Sequence, residues 1–279
     1  AFERNISQFL GWNDALTEKS NSAFEWIKDI SVLGDRSKED DNNKKNNWQA
    51  GTDFEIIVRK GLEFLGFKVE EAYRGGAGGL DLFCSEPYPL VGECKAGKKI
   101  PSDTTEELVK LGGMHLDADR FLSSAKLIIG PGEPNPDVLK AASKWRVSII
   151  KPMTLQKLVE FHAKYPGSIN LVALKKYLEP GKIDHKIEEY IEEVSKEIQL
   201  RSHIIQLVKK HLKNTGDDGV GIDTLHGAYV YSEPPKPLKR EELRDILIEL
   251  SSPLVGHLGR YKDSDGRNQF YFLRDLTID

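Results

Sequence analysis

Apolar positions in the first half of the chain alternate between helical and strand-like spacing. Phe54, Ile57, Val58, Leu62 and Leu65 recur at intervals of three and four, which predicts an amphipathic helix over Trp48–Leu65. Gly66 stands where such a helix stops. Three short runs follow that read as strands: Phe67–Tyr73, Gly79–Cys84 and Leu90–Lys95. The pattern then predicts a helix over Thr104–Ala118, a strand over Ala125–Gly130 and a helix over Pro134–Ser143. A strand over Val147–Lys151 and a helix over Leu155–Lys164 complete the block. The order α, β, β, β, α, β, α, β, α predicts an α/β fold, a mixed central sheet flanked by helices.

The flanks differ from this block. Asp35–Asn47, DRSKEDDNNKKNN, has no large apolar residue and reads as a solvated linker. Ahead of it lies a mostly helical segment, with Phe9, Leu10, Leu16, Phe24, Trp26, Ile27 and Ile30 as core candidates. Ile183–Lys213 predicts a long charged helix with a break near Ile198, and Ile222–Tyr229 a short one. Ser232–Pro237, SEPPKP, is a rigid turn. Lys239–Leu250 is helical, and two strands, Leu254–Tyr261 and Gln269–Leu273, flank KDSDGRN. Three helices and a hairpin are the order of a winged helix-turn-helix domain. The chain therefore divides into a helical segment with linker (1–47), an α/β core (48–166), a helical connector (167–197) and a winged-helix-like domain (198–279). No internal repeat is visible.

Composition narrows the function classes. No apolar run approaches the roughly 20 residues of a membrane-spanning helix, so no membrane partner is expected. The first residues, AFERNISQFLGWNDAL, do not read as a signal peptide. Cys84 and Cys94 are the only cysteines, too few for a disulfide framework, and a reducing, cytoplasmic setting is expected. In a bacterial cell it would be nucleoid-associated. The net charge of −4 argues against a protein that coats nucleic acid but allows a local basic surface.

The chemistry concentrates in Gly79–Lys95, GLDLFCSEPYPLVGECK. Side chains alternate faces along a strand. Asp81 thus opposes Leu82 and Cys84, while Glu93 and Lys95 share one face. If the two runs pair as a hairpin around Ser85–Pro89, two carboxylates and an ammonium meet on one side. Such a group suits phosphodiester hydrolysis. Mg²⁺ is commonly held by one or two carboxylates and several waters, and an adjacent lysine can stabilise charge on the phosphate. The backbone carbonyl of Cys94 is a further candidate ligand.

These residues resemble the PD-(D/E)XK nuclease superfamily, the restriction-endonuclease-like fold. Its pattern is an Asp at one strand, Glu-x-Lys on the next, and a preceding helix that often carries a Glu. Asp81, Glu93-Cys94-Lys95 and Glu55 match in order and type, over about Trp48–Lys164. Leu80 departs from the motif, which has proline there. The resemblance implies a Mg²⁺-dependent endonuclease acting on DNA, with Mn²⁺ as a possible substitute. Asp81, Glu93, Glu55 and the Cys94 carbonyl would hold the metal, and Lys95 would serve the nucleophile. A homodimer is implied as well, since cutting a duplex usually takes two copies, and a targeting or regulatory protein partner is compatible with it.

Each of these residues also has a purely structural reading. Asp81, Glu93 and Lys95 could form an exposed cross-strand ion cluster. Thr52–Glu55 fits a capping box. Arg74, Lys98 and Lys99 are candidate phosphate contacts or simply solvated. The run Gly75–Gly79 precedes a strand, which is wrong for a phosphate cradle. His115, Asp117 and Asp119 read as helix surface, and Asp263–Asn268 as a hairpin tip rather than a calcium loop. In the winged-helix reading Lys239, Arg240 and Arg244 would reach DNA from the helix, and Arg260, Lys262 and Arg267 from the wing. Their acidic neighbours Glu241, Glu242 and Asp245 keep protein docking open. The basic residues Arg201, His203, Lys209, Lys210, His211 and Lys213 fit the wet face of a helix. The alternatives to a DNA endonuclease are a non-cleaving DNA-binding or assembly module and an RNA-processing nuclease.

Overall fold

The computed structural model describes residues 23–35, 44–71 and 79–276, with side chains from residue 50 onward in its second helix. The chain divides into two compact units, with the boundary between Ile191 and Glu192. The core candidates Phe9, Leu10 and Leu16 and the basic Arg74 lie outside the described residues, as does most of the polar linker.

The first unit opens with a 3-10 turn, Glu25–Lys28, and α1 (Asp29–Gly34). Then come α2 (Lys44–Leu65), β1 (Lys68–Val69), β2 (Leu82–Glu86), β3 (Leu90–Cys94), α3 (Thr104–His115) and α4 (Ala118–Ser123). These are followed by β4 (Ala125–Ile129), α5 (Pro136–Trp145), β5 (Val147–Ile150), α6 (Pro152–Lys164), α7 (Leu171–Leu174) and β6 (Gly181–Lys182). The six strands form one sheet in the order β1-β2-β3-β4-β5-β6. β1, β2 and β3 pair antiparallel, and β3 to β6 run parallel. The sheet is therefore mixed and flanked by helices, the expected class.

Alternation along the central strands builds two cores. Phe83, Val91, Ile128 and Ile149 point to one face, where Leu108 and Leu111 of α3 and Val138 and Ala142 of α5 cover them. Leu90, Leu127 and Ile150 point to the other, against Leu62 and Leu65 of α2 and Leu155 and Leu158 of α6. A cavity of about 30 Å³ remains on that second face. Phe54 and Val58 are fully buried on α2, and α1 supplies the fully buried Ile30. Pairing of β3 with both an antiparallel and a parallel neighbour makes its C-terminal end a meeting point of loops.

Several boundaries depart from the sequence reading. α2 begins at Lys44, so Lys44–Asn47 belong to the helix and not to the linker. Periodicity missed this turn because it carries no apolar face. The earlier start also leaves Thr52–Glu55 inside the helix, where a capping box has no end to cap. β2 starts at Leu82, so Asp81 immediately precedes the strand. The expected Thr104–Ala118 helix ends at His115, and Asp117 caps the separate α4 by accepting from the Arg120 N–H at 2.8 Å. The stretch read as connector contributes α7 and β6, both too short to show a period.

α8 (Asp184–Thr215) is one continuous helix, without the expected break near Ile198. Its residues from Glu192 on belong to the second unit. There it joins β7 (Val220–Gly221), α9 (Ile222–Val230), α10 (Arg240–Leu250), β8 (Leu258–Lys262) and β9 (Asn268–Phe272). The strands form an antiparallel sheet in the order β7-β9-β8. Leu200, Ile204 and Val208 pack with Leu225, Tyr229, Leu243, Leu247 and Phe270 in a separate core. The tip between β8 and β9 is an Asp turn: Asp263 Oδ1 accepts from the Asp265 and Arg267 N–H groups. Among the described residues no helix is long and apolar enough to cross a membrane.

One buried group sets a pH limit on the first unit. His162 of α6 is buried in an edge-to-face contact with Phe64, and its Nδ1 has no partner among the described residues. Burial holds its imidazole below the ordinary value of 6.5. The unfolded chain therefore takes up a proton below about pH 6.5 that the folded state refuses, so His162 lowers stability as pH falls. His162→Leu should remove up to about 1.4 kcal/mol of stability loss per pH unit below that point. Urea midpoints at pH 7.5 and 5.5 measure it. Equal pH dependence in both proteins would refute the assignment.

Candidate active site

The hairpin of β2 and β3 sets the site. Leu82 pairs with Gly92 and Phe83 with Val91, so continuing the register by one residue brings Asp81 beside Glu93. Asp81 Oδ2 accepts the Cys94 main-chain N–H at 2.9 Å. The Asp81 carbonyl accepts from a guanidinium nitrogen of Arg59, which reaches it from α2. Asp81 is thus held at both its main chain and its carboxylate.

Glu93 is 2% exposed. Its Oε2 accepts from Lys95 Nζ at 2.9 Å, and its Oε1 has no partner among the described residues. Burial, and then the charge of Asp81, push its carboxyl well above the usual range, while Lys95 acts in the opposite direction. Burial alone would lower the Lys95 ammonium, but Glu93, with Asp81 and Glu107 adding to it, holds Lys95 above its ordinary value. Glu107, in the first turn of α3, approaches Lys95 Nζ at 3.5 Å. Lys95 therefore stands between two carboxylates as a fixed cation. Burial raises both cysteine thiols, Cys84 to about 12, which leaves them as packing groups rather than nucleophiles.

The structure brings Asp81, Glu93 and Lys95 together and spreads the other candidates. Glu55 lies half-buried on α2, one turn before Arg59, and its charge is felt at the Cys94 thiol. Among the described residues no group of three or more His, Cys, Asp or Glu side chains is close enough to hold a metal ion. The expected third carboxylate is therefore not gathered with the other two. Lys98 and Lys99 are exposed in the loop after β3.

In the second unit Arg240 pairs with Asp223 at 2.5 Å, and Arg244 with Asp245 at 3.1 Å. The Lys239 N–H donates to Glu242 at the start of α10. Arg240 and Arg244 are thus paired with neighbouring carboxylates, whereas the Lys239 bond comes from its main chain and leaves its side chain exposed. Arg260, Lys262 and Arg267 are exposed along the β8–β9 hairpin.

Two residues escaped the sequence reading. Glu107 gave no local signal, because its contact depends on how α3 returns to the sheet. Arg59 did give one: it sits among Phe54, Ile57, Val58 and Leu62, a charge inside an apolar stripe. No known family model matches this chain, and no curated protein is significantly similar to it in sequence.

Proposed function

We propose that the first unit is a Mg²⁺-dependent endonuclease hydrolysing phosphodiester bonds in DNA, on a PD-(D/E)XK core. The observation that carries this reading is the buried Glu93 oxygen without a partner among the described residues, beside Asp81 and with its other oxygen accepting from Lys95. Two carboxylates at close range repel each other, and a divalent cation between them removes that cost. The donor set fits a hard cation that keeps waters and takes further oxygens from substrate. Asp81 and Glu93 would hold the metal, and the bound metal would polarise the phosphoryl group and activate water.

The chain's own residues supply the rest. Lys95 keeps its proton, because the carboxylates of Glu93, Asp81 and Glu107 stabilise the ammonium. It is placed to donate a hydrogen bond to the attacking water or to a phosphate oxygen as negative charge grows there. Lys98 and Lys99, three and four residues further on, would meet the flanking backbone phosphates. The second unit reads as a winged helix that adds DNA contacts. Pairing of Arg240 and Arg244 within the unit favours contact through Arg260, Lys262 and Arg267 of the hairpin over contact through α10. A homodimer would allow both strands of a duplex to be cut.

The test is direct. Supercoiled plasmid and a structured RNA are each incubated with the full chain and Mg²⁺, Mn²⁺ or chelator. Nicking or linearisation of the plasmid that needs metal is the expected outcome. Preferential cutting of the RNA would move the substrate class. Tight DNA binding with no cutting under any condition would replace the enzyme with a non-cleaving module.

A further inference from the structure

Arg59 is the most anomalous group in the first unit. It is 7% exposed, on the apolar face of α2, where a guanidinium is costly unless its donors are engaged. One nitrogen donates to the Asp81 carbonyl. Nε and the other terminal nitrogen are buried with no partner among the described residues. Packing alone would favour a long apolar side chain at this position. What only the guanidinium does is grip the main chain of the residue whose carboxylate faces Glu93. Asp81 needs such a grip, because it precedes β2 and lacks the register that fixes the strand itself.

We propose that Arg59 is a positioning residue for the Asp81–Glu93 pair, fixing the Asp81 main chain so that its carboxylate stays on the Cys94 N–H and beside Glu93. The role in cation binding rests on the nuclease reading, whereas the role in holding Asp81 does not. Two readouts separate them. The Cys94 amide donates to Asp81 Oδ2, so its hydrogen exchange, compared with Val91 in the same strand, reports where Asp81 stands. Mn²⁺ affinity, followed by electron paramagnetic resonance of the free ion, reports the carboxylate pair as a site.

Arg59→Met keeps the volume and removes the donors. The expected result is a folded protein whose Cys94 amide exchanges at least tenfold faster relative to Val91, with Mn²⁺ bound about tenfold more weakly. A merely structural arginine would lower the melting temperature and leave both ratios unchanged, and that result overturns the proposal. Should the Met variant fail to fold, Arg59→Lys decides. It keeps the charge but loses the planar fork, so exchange at Cys94 about threefold faster supports the role and wild-type exchange refutes it. If the wild-type protein binds no Mn²⁺, the cation site falls, and the exchange measurement alone still judges Arg59.

Discussion

Glu93→Gln should abolish metal-dependent strand cleavage, by about a thousandfold or more, while the protein keeps its fold. The magnitude is that of losing one of the two carboxylates that would hold the metal, and with it the polarised phosphoryl group and activated water; a thousandfold corresponds to about 4 kcal/mol. Glu93 is the residue to choose because its two oxygens do different things. Oε2 accepts from Lys95, and a glutamine oxygen can still accept there. Oε1 has no partner to lose among the described residues. The substitution therefore removes charge with little change in shape or hydrogen bonding. Lys95→Met should be as inactive, by a different route. It leaves Glu93 buried beside Asp81 without its cation, and Glu93 responds by taking a proton rather than by unfolding the sheet, since burial already favours its neutral form. Cleavage is read on plasmid at saturating Mg²⁺, and folding by circular dichroism and thermal midpoint. Wild-type cleavage rates in Glu93→Gln would end the assignment of the site.

The contrast between the two ends of β3 shows what a sequence can disclose. Once Leu90–Lys95 reads as a strand, the alternation of successive side chains assigns the faces and puts Glu93 and Lys95 together. The meeting of Asp81 with Glu93 followed from that alternation and from a turn-forming segment between the runs. The mixed sheet followed from the order of elements. What stayed hidden depends on distance along the chain. Glu107 meets Lys95 only after the loop from Ala96 to Asp103 has folded back, and β6 pairs with β5 through two residues, too few for any pattern. The continuity of α8 was hidden for the opposite reason: its charged middle looks like a break, yet its ion pairs, such as Glu192–Lys196 and Glu197–Arg201, run at helical spacing and support it. Arg59 is visible in the sequence as a charge among apolar positions. A lone arginine in an apolar helical stripe marks either a misassigned face or a buried partner, and here the partner is a main-chain carbonyl.

Gly92→Ala should destabilise the first unit by about 3 kcal/mol or more, against the direction that strand propensity gives. In an ordinary strand interior, alanine is favoured over glycine by roughly 0.5–1 kcal/mol, because glycine loses more freedom on folding. Gly92 is not in an ordinary place. It lies in β3, opposite Leu82 on one side and Leu127 on the other. A Cβ there would stand 2.7 Å from the Leu127 carbonyl oxygen and 3.0 Å from a terminal methyl of Leu82. The methyl can rotate away, but the carbonyl is part of the ladder between β3 and β4 and cannot. Relief requires the two strands to separate, and overpacking of a closed core costs about 1–3 kcal/mol even when only side chains must move. The strain also falls one residue before Glu93, so activity should drop in whatever fraction remains folded. Urea denaturation of the single variant measures the effect. A midpoint equal to or above wild type would show that β3 and β4 do not approach this closely at Gly92, and the geometry assigned to Glu93 would have to be redrawn with them.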